Sequence, residues 1–264
     1  MPTLNRAKKR KKALEKIINI IENSSHTLGI HYSCESFYDI PNGRTPRITS
    51  IAVRYLTTGQ TKSFSIHKVA ELRNVPFENI EEKYNELEKE MLNDFYNFVR
   101  QHLSFEWVHW NMRDINYGFE AIEHRFSVLG GTAVTINDEK KIDLSRYLVD
   151  IYGLKYIGHP RFQKLVEFNK ITSKDMLAGA EEAEAFVAKE YVKLHQSTLR
   201  KVDCIQTILE RTANGTLKTE SGIFDKFGFS PQGIAEMIKE NWILGLLWTL
   251  ITLILGGYIG SLFS

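Results

Sequence analysis

Hydrophobic and polar residues alternate along the first half of the chain, a pattern that is typical of β-strands. Residues 27–37 are predicted as a strand, and residues 47–56 and 62–69 form two such alternating runs. The segment "TTGQT" between the last two runs is typical of a hairpin turn, and "PNGR" at 41–44 holds turn-forming residues. The pattern therefore predicts three consecutive strands.

A helical periodicity follows the third strand. Residues 78–103 place Leu87, Met91 and Phe95 on one face, and a short apolar strand is predicted next at 105–111. Helical patterns then continue to the end of the polar part of the chain, at 117–129, 143–154, 161–171, 178–211 and 230–242. Strands, a helix, another strand and further helices predict an α/β fold with a mixed sheet.

The C-terminal segment has no charged side chain from Asn241 to Ser264. Its apolar stretch of 22 residues, Trp242–Phe263, spans roughly 33 Å as a helix, close to the ~30 Å hydrocarbon core of a bilayer. We therefore expect one transmembrane helix rather than a buried core helix. Lysines precede this segment and no charge follows it, so the positive-inside rule places the bulk of the chain in the cytoplasm on a single-pass C-terminal anchor. Its glycines allow a second helix to approach closely, which favours a homo-oligomer through this helix.

The first 24 residues predict an amphipathic helix with a basic N-terminal half. Residues 6–12, "RAKKRKK", carry six positive charges, and the apolar positions Leu14, Ile17, Ile18 and Ile21 follow helical spacing. This helix can contact anionic lipid, contact nucleic acid, pack on the domain, or present a solvated charged end. The expected organisation is this helix (1–24), an α/β domain (25–211), a linker with a juxtamembrane helix (212–240) and the membrane helix (241–264).

Composition indicates a chain with a packed core in a reducing compartment, but it does not indicate a partner. Hydrophobic residues make up 43% of the 264 residues and charged residues 25%, which is enough for a packed core. The net charge of +2 is uninformative. Cys34 and Cys204 provide neither a disulfide framework nor a zinc quartet, so we expect reduced cytosolic thiols. The basic start lacks the apolar core of a signal peptide.

Short motifs fall on these elements in a fixed order. "SCES" ends the first predicted strand, "FEWVHWNMRDINYGF" covers the fourth, and "HQSTLRKVDCIQTIL" lies on the long late helix. With the meander between the first two, this order resembles the DEDD-type 3′–5′ exonuclease family, which has an RNase H-like fold. The resemblance covers about residues 27–211.

The resemblance implies a set of site residues. Glu35, Asp114 and Asp203 match the family's metal-binding acids, which would hold Mg²⁺ or Mn²⁺, and His195 matches its general base. Ser33 stands where the family has its first aspartate, the step from Asn111 to Asp114 is one residue short, and the step from His195 to Asp203 is too long. Two-metal cleavage needs several carboxylates around two divalent ions about 3.5–4 Å apart. We therefore expect weakened metal binding unless another acid, such as Asp39, contributes.

Each of these residues also has a purely structural interpretation. Glu35 can face solvent on a strand, Asp114 can cap the following helix, and Asp203 can be an ordinary helix residue. His195 can likewise be a polar residue of that helix. Whether the chain is an enzyme therefore stays open at this point.

Three functions fit the sequence. The first is a membrane-tethered, metal-dependent nuclease acting on DNA or RNA at the cytoplasmic membrane face. The second is a catalytically inactive module that senses a nucleotide or nucleic acid and controls a membrane-perturbing segment. The third is a membrane effector whose glycine-bearing helix self-associates, a layout that resembles bacterial antiphage defence effectors.

Overall fold

The elements of the chain follow the order strand, hairpin, helix, strand and helices. A computed structural model describes residues 6–35, 45–240 and 242–262. The strands are β1 (Thr27–Cys34), β2 (Ile48–Tyr55), β3 (Thr61–Ser65), β4 (Glu106–His109) and β5 (Lys141–Asp143). The helices are α1 (Arg6–Glu22), α2 (Ile66–Leu72), α3 (Tyr84–Gln101), α4 (Phe119–Val128), α5 (Leu144–Tyr152), α6 (Arg161–Phe168), α7 (Gly179–Val187), α8 (Tyr191–Ala213), α9 (Ile223–Phe227), α10 (Pro231–Glu240) and α11 (Trp242–Leu262).

The five strands form one mixed sheet in the order β3-β2-β1-β4-β5. The pairs β1–β2 and β2–β3 are antiparallel, while β1–β4 and β4–β5 are parallel. The carboxyl ends of β1, β4 and β5 therefore lie at the same edge of the sheet. All eight residues of β1 are buried, as expected for a central strand that is covered on both faces.

Helices cover the two faces of the sheet and supply its core. On one face, Phe64 of β3 makes edge-to-face ring contacts with Phe95 and Phe98 of α3, at 5.6 and 5.9 Å between centroids. On the other face α8 crosses β1 and β2, and a Cβ at Gly29 would lie 3.5 Å from Val202 of α8. The predicted α/β fold with a mixed sheet flanked by helices is confirmed.

Several predicted boundaries are wrong. The strand predicted at 62–69 ends at Ser65, because Ile66, Val69 and Ala70 are buried at helical spacing in α2. The single helix predicted at 178–211 is two helices that break before Tyr191, with Lys189 at φ 60°. The three-residue strand β5 and the short helix α9 were not predicted. The turn predicted at 41–44 lies outside the described residues.

The chain divides into two compact units. One comprises residues 1–16, 147–158 and 219–264, and the other residues 17–146 and 159–218, which include the whole sheet. In the first unit, large apolar side chains of α11 from Ile243 to Leu255 are exposed. Within the described residues no single helix has the length and hydropathy of a membrane span. Pro231–Lys239 and Ile243–Leu255, which are bent by 111°, reach that threshold only as a pair.

Candidate functional site

Small polar residues line the face of the sheet that α8 covers. Ser33 of β1 is paired with Ser50 of β2, and Ser50 is paired with Ser65 of β3, so the three side chains form a row across the strands. The hydroxyls of Ser50 and Thr198 on α8 are 2.7 Å apart, which shows that this row faces α8. Such short side chains let α8 lie close to the carboxyl end of β1.

A cavity of about 380 Å³ opens at that end of β1. This volume lies within the range of small-molecule sites. Strand β1, the turn before α4, helix α7 and helix α8 all contribute to its wall. The residues that matter for its chemistry are Ser33, Glu35, Tyr117, Gly179, Glu182 and Lys201.

An ion pair between Lys201 of α8 and Glu182 of α7 is the main charged feature of the cavity. Nζ of Lys201 lies 2.7 Å from Oε2 of Glu182, and the side chains are only 9% and 15% exposed. The hydroxyl of Ser197 donates to the other carboxylate oxygen at 3.2 Å, and it accepts the N–H of Leu177 at 3.0 Å. Glu182 therefore ties α7 to α8 across the wall of the cavity.

The buried groups beside this pair are neutral. Burial, together with the charge of Lys201, holds the pKa of His31 well below its ordinary value. Burial, together with the charge of Glu182, raises the pKa of the Cys34 thiol well above its ordinary value. Ser33 is 2% exposed, and its hydroxyl has no hydrogen-bond partner among the described residues. The charges in the cavity thus belong to Lys201, Glu182 and Glu35.

Glu35, which the resemblance implies as a metal-binding acid, follows β1 and lines the cavity. Its N–H donates to the carbonyl of Arg47 at 2.8 Å, and its carboxylate accepts the N–H of Arg47 at 3.4 Å. These bonds continue the pairing of β1 with the segment before β2. Asp39, the acid proposed to replace the first aspartate, lies outside the described residues.

Asp203 does not line the cavity. Residues two positions apart on a helix point about 200° apart, so α8 turns Lys201 toward the cavity and Asp203 away from it. The side chain of Asp203 is 37% exposed, and its carboxylate pairs with Arg54 at 3.2 Å and with Arg200 at 2.8 Å. The late helix therefore presents an ammonium group where the resemblance implies a carboxylate.

The second motif also places a different side chain in the cavity wall. Asp114 is exposed, and its Oδ1 accepts the N–H of Asn116 at 2.8 Å, so it stabilises its own turn. Tyr117, from the same turn, lines the cavity instead. Its ring stacks on Tyr32 at 4.7 Å, and its hydroxyl lies 3.4 Å from Nδ1 of His31.

His195 lies with another histidine, outside the cavity wall. Its ring centroid is 5.1 Å from that of His67 on α2, and its Nε2 has no partner among the described residues. Burial, with smaller effects of Lys68 and His67, lowers the pKa of His195 to about 3. The side chain is neutral at physiological pH, and within the described residues it contacts no group of the cavity that it would activate as a base.

A smaller cavity of about 280 Å³ lies at the ends of β4 and β5. Its wall includes His109, whose Nδ1 accepts the N–H of Met112 at 3.0 Å and whose pKa burial lowers to about 4. Asp143 pairs with Arg113 and accepts the N–H groups of Asn111 and Ser145, each at 3.1 Å. These bonds occupy the Asp143 carboxylate, which thereby holds the surrounding loop in place.

The acids of the described residues do not fit a two-metal centre. Of the three acids that the resemblance implies, the structure brings Glu35 to the cavity and places Asp114 and Asp203 elsewhere. No group of three His, Cys, Asp or Glu side chains has a metal-binding arrangement in residues 6–35, 45–240 and 242–262. Sequence reasoning missed Lys201, although Thr198, Lys201 and Ile205 share the core-facing stripe of α8.

Comparisons with known proteins add no relative. No family model matches the sequence, and no curated protein and no solved structure matches it either. The function is therefore inferred from the residues of the chain itself.

Proposed function

We propose that this chain is a membrane-tethered, exonuclease-like protein whose RNase H-like domain recognises a nucleic-acid end or a nucleotide and does not hydrolyse it. The recognition site is the cavity at the carboxyl end of β1. The observation that carries this proposal is the buried Lys201–Glu182 ion pair in the cavity wall.

The sheet topology supports the RNase H-like assignment. An antiparallel meander, β1 to β3, is followed by a helix and then by β4, which lies parallel to β1. This is the order that the resemblance implies. The cavity lies where the first motif ends, beside Ser33 and Glu35.

The charges of the cavity favour recognition over two-metal hydrolysis. A pair of divalent ions needs several carboxylates to offset its charge, and among the described residues only Glu35 and Glu182 bring a carboxylate to this cavity. Glu182 is already paired with an ammonium group, which would repel a metal ion beside it. An ammonium group is itself a phosphate ligand that needs no metal.

The test combines a binding assay and a cleavage assay on the same preparation. Full-length protein in mild detergent is titrated into fluorescent DNA and RNA oligonucleotides and into labelled mononucleotides, with EDTA, Mg²⁺ or Mn²⁺. We expect saturable binding in EDTA and intact oligonucleotide under every condition. Lys201→Met should weaken binding about tenfold, because it removes a charged hydrogen-bond donor.

The matched control is Lys193→Met, which removes the same charge from an exposed site on the same helix. It should leave binding unchanged. Metal-dependent cleavage that Glu35→Gln abolishes would instead support the active nuclease, the alternative that the position of Glu35 in the cavity favours. No affinity for any of these ligands would overturn the proposal.

The membrane part of the proposal rests on the first compact unit. That unit contains α11, with its exposed apolar side chains, and the start of α1, where four lysines are exposed: Lys8, Lys9, Lys11 and Lys12. Arg6 anchors α1 in this unit by donating to the carbonyl of Asp225 at 2.9 Å. We propose that α11 is the C-terminal anchor of a cytoplasmic domain, that the lysines face anionic lipid, and that ligand binding controls self-association of α11, as in an antiphage effector.

A further inference from the structure

The N-terminus of α7 opens into the cavity with two backbone amides that no described side chain caps. Ala178 occupies the N-cap position and has no side-chain oxygen, and the Glu181 carboxylate accepts the N–H of Ala178 at 2.6 Å, whereas Gly179 and Ala180 of the first turn line the cavity. No described side chain accepts the N–H of either residue. The first-turn amides of a helix lack partners within the helix, and together with the helix dipole they bind anions.

The hydroxyl of Ser33 is a second, independent indication of a ligand. It belongs to a residue that is 2% exposed, it has no partner among the described residues, and Ser33 lines the same cavity. A buried polar atom without a partner is costly. A ligand that accepts a hydrogen bond at this point would satisfy it.

Lys201 is the third group, and the carboxylate that pairs with it lies where a bound anionic ligand would lie. The Glu182 carboxylate lies 2.7 Å from the ammonium nitrogen. Since the lysine side chain is 9% exposed, water compensates its charge poorly. A ligand that displaces Glu182 must therefore bring its own negative charge.

We infer that the cavity binds a terminal phosphate through the amides of Gly179 and Ala180, the Ser33 hydroxyl and the Lys201 ammonium group, and that Glu182 is an internal competitor which this phosphate displaces. This inference rests on the proposed function. It adds which chemical group of the ligand is bound and how Glu182 regulates that binding. Displacement also breaks the bonds from Lys201 and Ser197 that tie α7 to α8. Glu182 thus competes with the phosphate for the ammonium group of Lys201.

The first experiment tests the helix N-terminus with two substitutions at one residue. Gly179→Pro removes the N–H at the first helical position, where proline is favoured, and Ala178 already has the extended conformation that proline requires before it. Gly179→Ala keeps the N–H, and its Cβ would have no atom within 4 Å. The probes are inorganic phosphate, a mononucleotide, and one oligonucleotide with either a terminal phosphate or a terminal hydroxyl.

We expect Gly179→Pro to weaken binding of the phosphorylated probes about fivefold or more relative to Gly179→Ala, because the alanine variant keeps the N–H. The oligonucleotide with a terminal hydroxyl should bind weakly to all three proteins. Binding of inorganic phosphate alone would identify the free ion as sufficient, whereas binding only of the nucleotide probes would require the attached nucleoside. Equal binding by the proline and alanine variants would overturn the amide part of the inference.

The second experiment tests Glu182 as a competitor. Glu182→Gln keeps a partner for Ser197 but removes the charge, so affinity for phosphorylated probes should rise about tenfold. Glu184→Gln is the control, because it makes the same change at an exposed position of α7. The double variant Lys201→Met, Glu182→Gln loses both members of the ion pair, so it leaves no unpaired buried charge. In it the gain in affinity should disappear, because the ammonium group for which Glu182 competes is absent.

The outcomes separate this inference from the proposed function. If wild type binds the phosphorylated oligonucleotide and Glu182→Gln binds it equally or more weakly, the competitor role is wrong and recognition at the cavity stands. If wild type and Glu182→Gln both bind none of the probes, both proposals fail. Thermal unfolding of each variant identifies any loss of binding that is caused by loss of the fold.

Discussion

Removing Arg125 should destabilise the domain in a way that depends on pH. Glu88 of α3 is fully buried and Arg125 of α4 is 5% exposed. Nε of Arg125 donates to both carboxylate oxygens, at 3.0 and 3.1 Å, and the N–H of Ile48 on β2 donates to Oε1 at 2.7 Å. The pair thus connects two helices to the sheet, and Arg125→Met leaves a buried carboxylate without its counter-ion.

The size of the effect follows from the burial of the pair. Breaking a buried ion pair costs about 3–5 kcal/mol. Burial already raises the pKa of Glu88 in spite of Arg125, and losing Arg125 raises it further. A carboxyl group with a raised pKa binds more protons in the folded state than in the unfolded state. The variant therefore recovers stability as pH falls, by about 1.4 kcal/mol per pH unit, until the pH reaches the pKa of the unfolded state, ~4.3.

Urea unfolding in mild detergent, followed by far-UV circular dichroism at pH 8 and pH 5, measures this effect. We expect Arg125→Met to lose about 3–5 kcal/mol at pH 8 and clearly less at pH 5. Adding Glu88→Gln should restore most of the loss, because the amide oxygen still accepts from Ile48. Arg73→Met, which breaks an exposed pair with Glu90, is the control and should have no measurable effect. The same loss at both pH values would show that protonation of Glu88 does not compensate the loss of Arg125.

Three further predictions concern the remaining charged groups. The lowered pKa of His195 means that its contribution to stability is complete above pH ~6.5 and is lost at about 1.4 kcal/mol per pH unit as pH falls toward 3. His195→Leu should therefore flatten the acid limb of a stability–pH profile, and an unchanged limb would contradict this. Asp203→Asn should change oligonucleotide affinity less than twofold, because its carboxylate pairs with arginines outside the cavity; a tenfold loss would place it in the site. A chain truncated after residue 240 should sediment with anionic but not neutral vesicles at low salt, and should lose this binding when glutamine replaces Lys8, Lys9, Lys11 and Lys12.

Strand periodicity was enough to predict the central part of the sheet. Alternation located β2 and β3, and the turn residues between them located their hairpin. Prediction from periodicity failed where the local pattern is ambiguous or short. The segment after Ser65 fits both a strand and a helix, and three residues are too few for β5 to show a period. Lys189 breaks the late helix with a positive φ and without a glycine to mark the break.

The site could be predicted only in part from the sequence, because the orientation of a helix depends on tertiary packing. The motif order led to Glu35, which lies in the cavity wall. On α8 the same reasoning selected Asp203, yet the residue turned to the cavity is Lys201, two positions earlier. Glu182 could not be selected, because its role depends on how α7 packs against α8. Motif spacing does not determine that packing.

The most direct test is a crystal structure of the full-length protein with an oligonucleotide that carries a terminal phosphate, grown with Mg²⁺ present. We expect the phosphate to lie about 3 Å from Nζ of Lys201 and from the amides of Gly179 and Ala180, with the Glu182 carboxylate moved away from Lys201. Nucleic acid bound elsewhere, or a pair of metal ions on Glu35 with Glu182 still on Lys201, would contradict it.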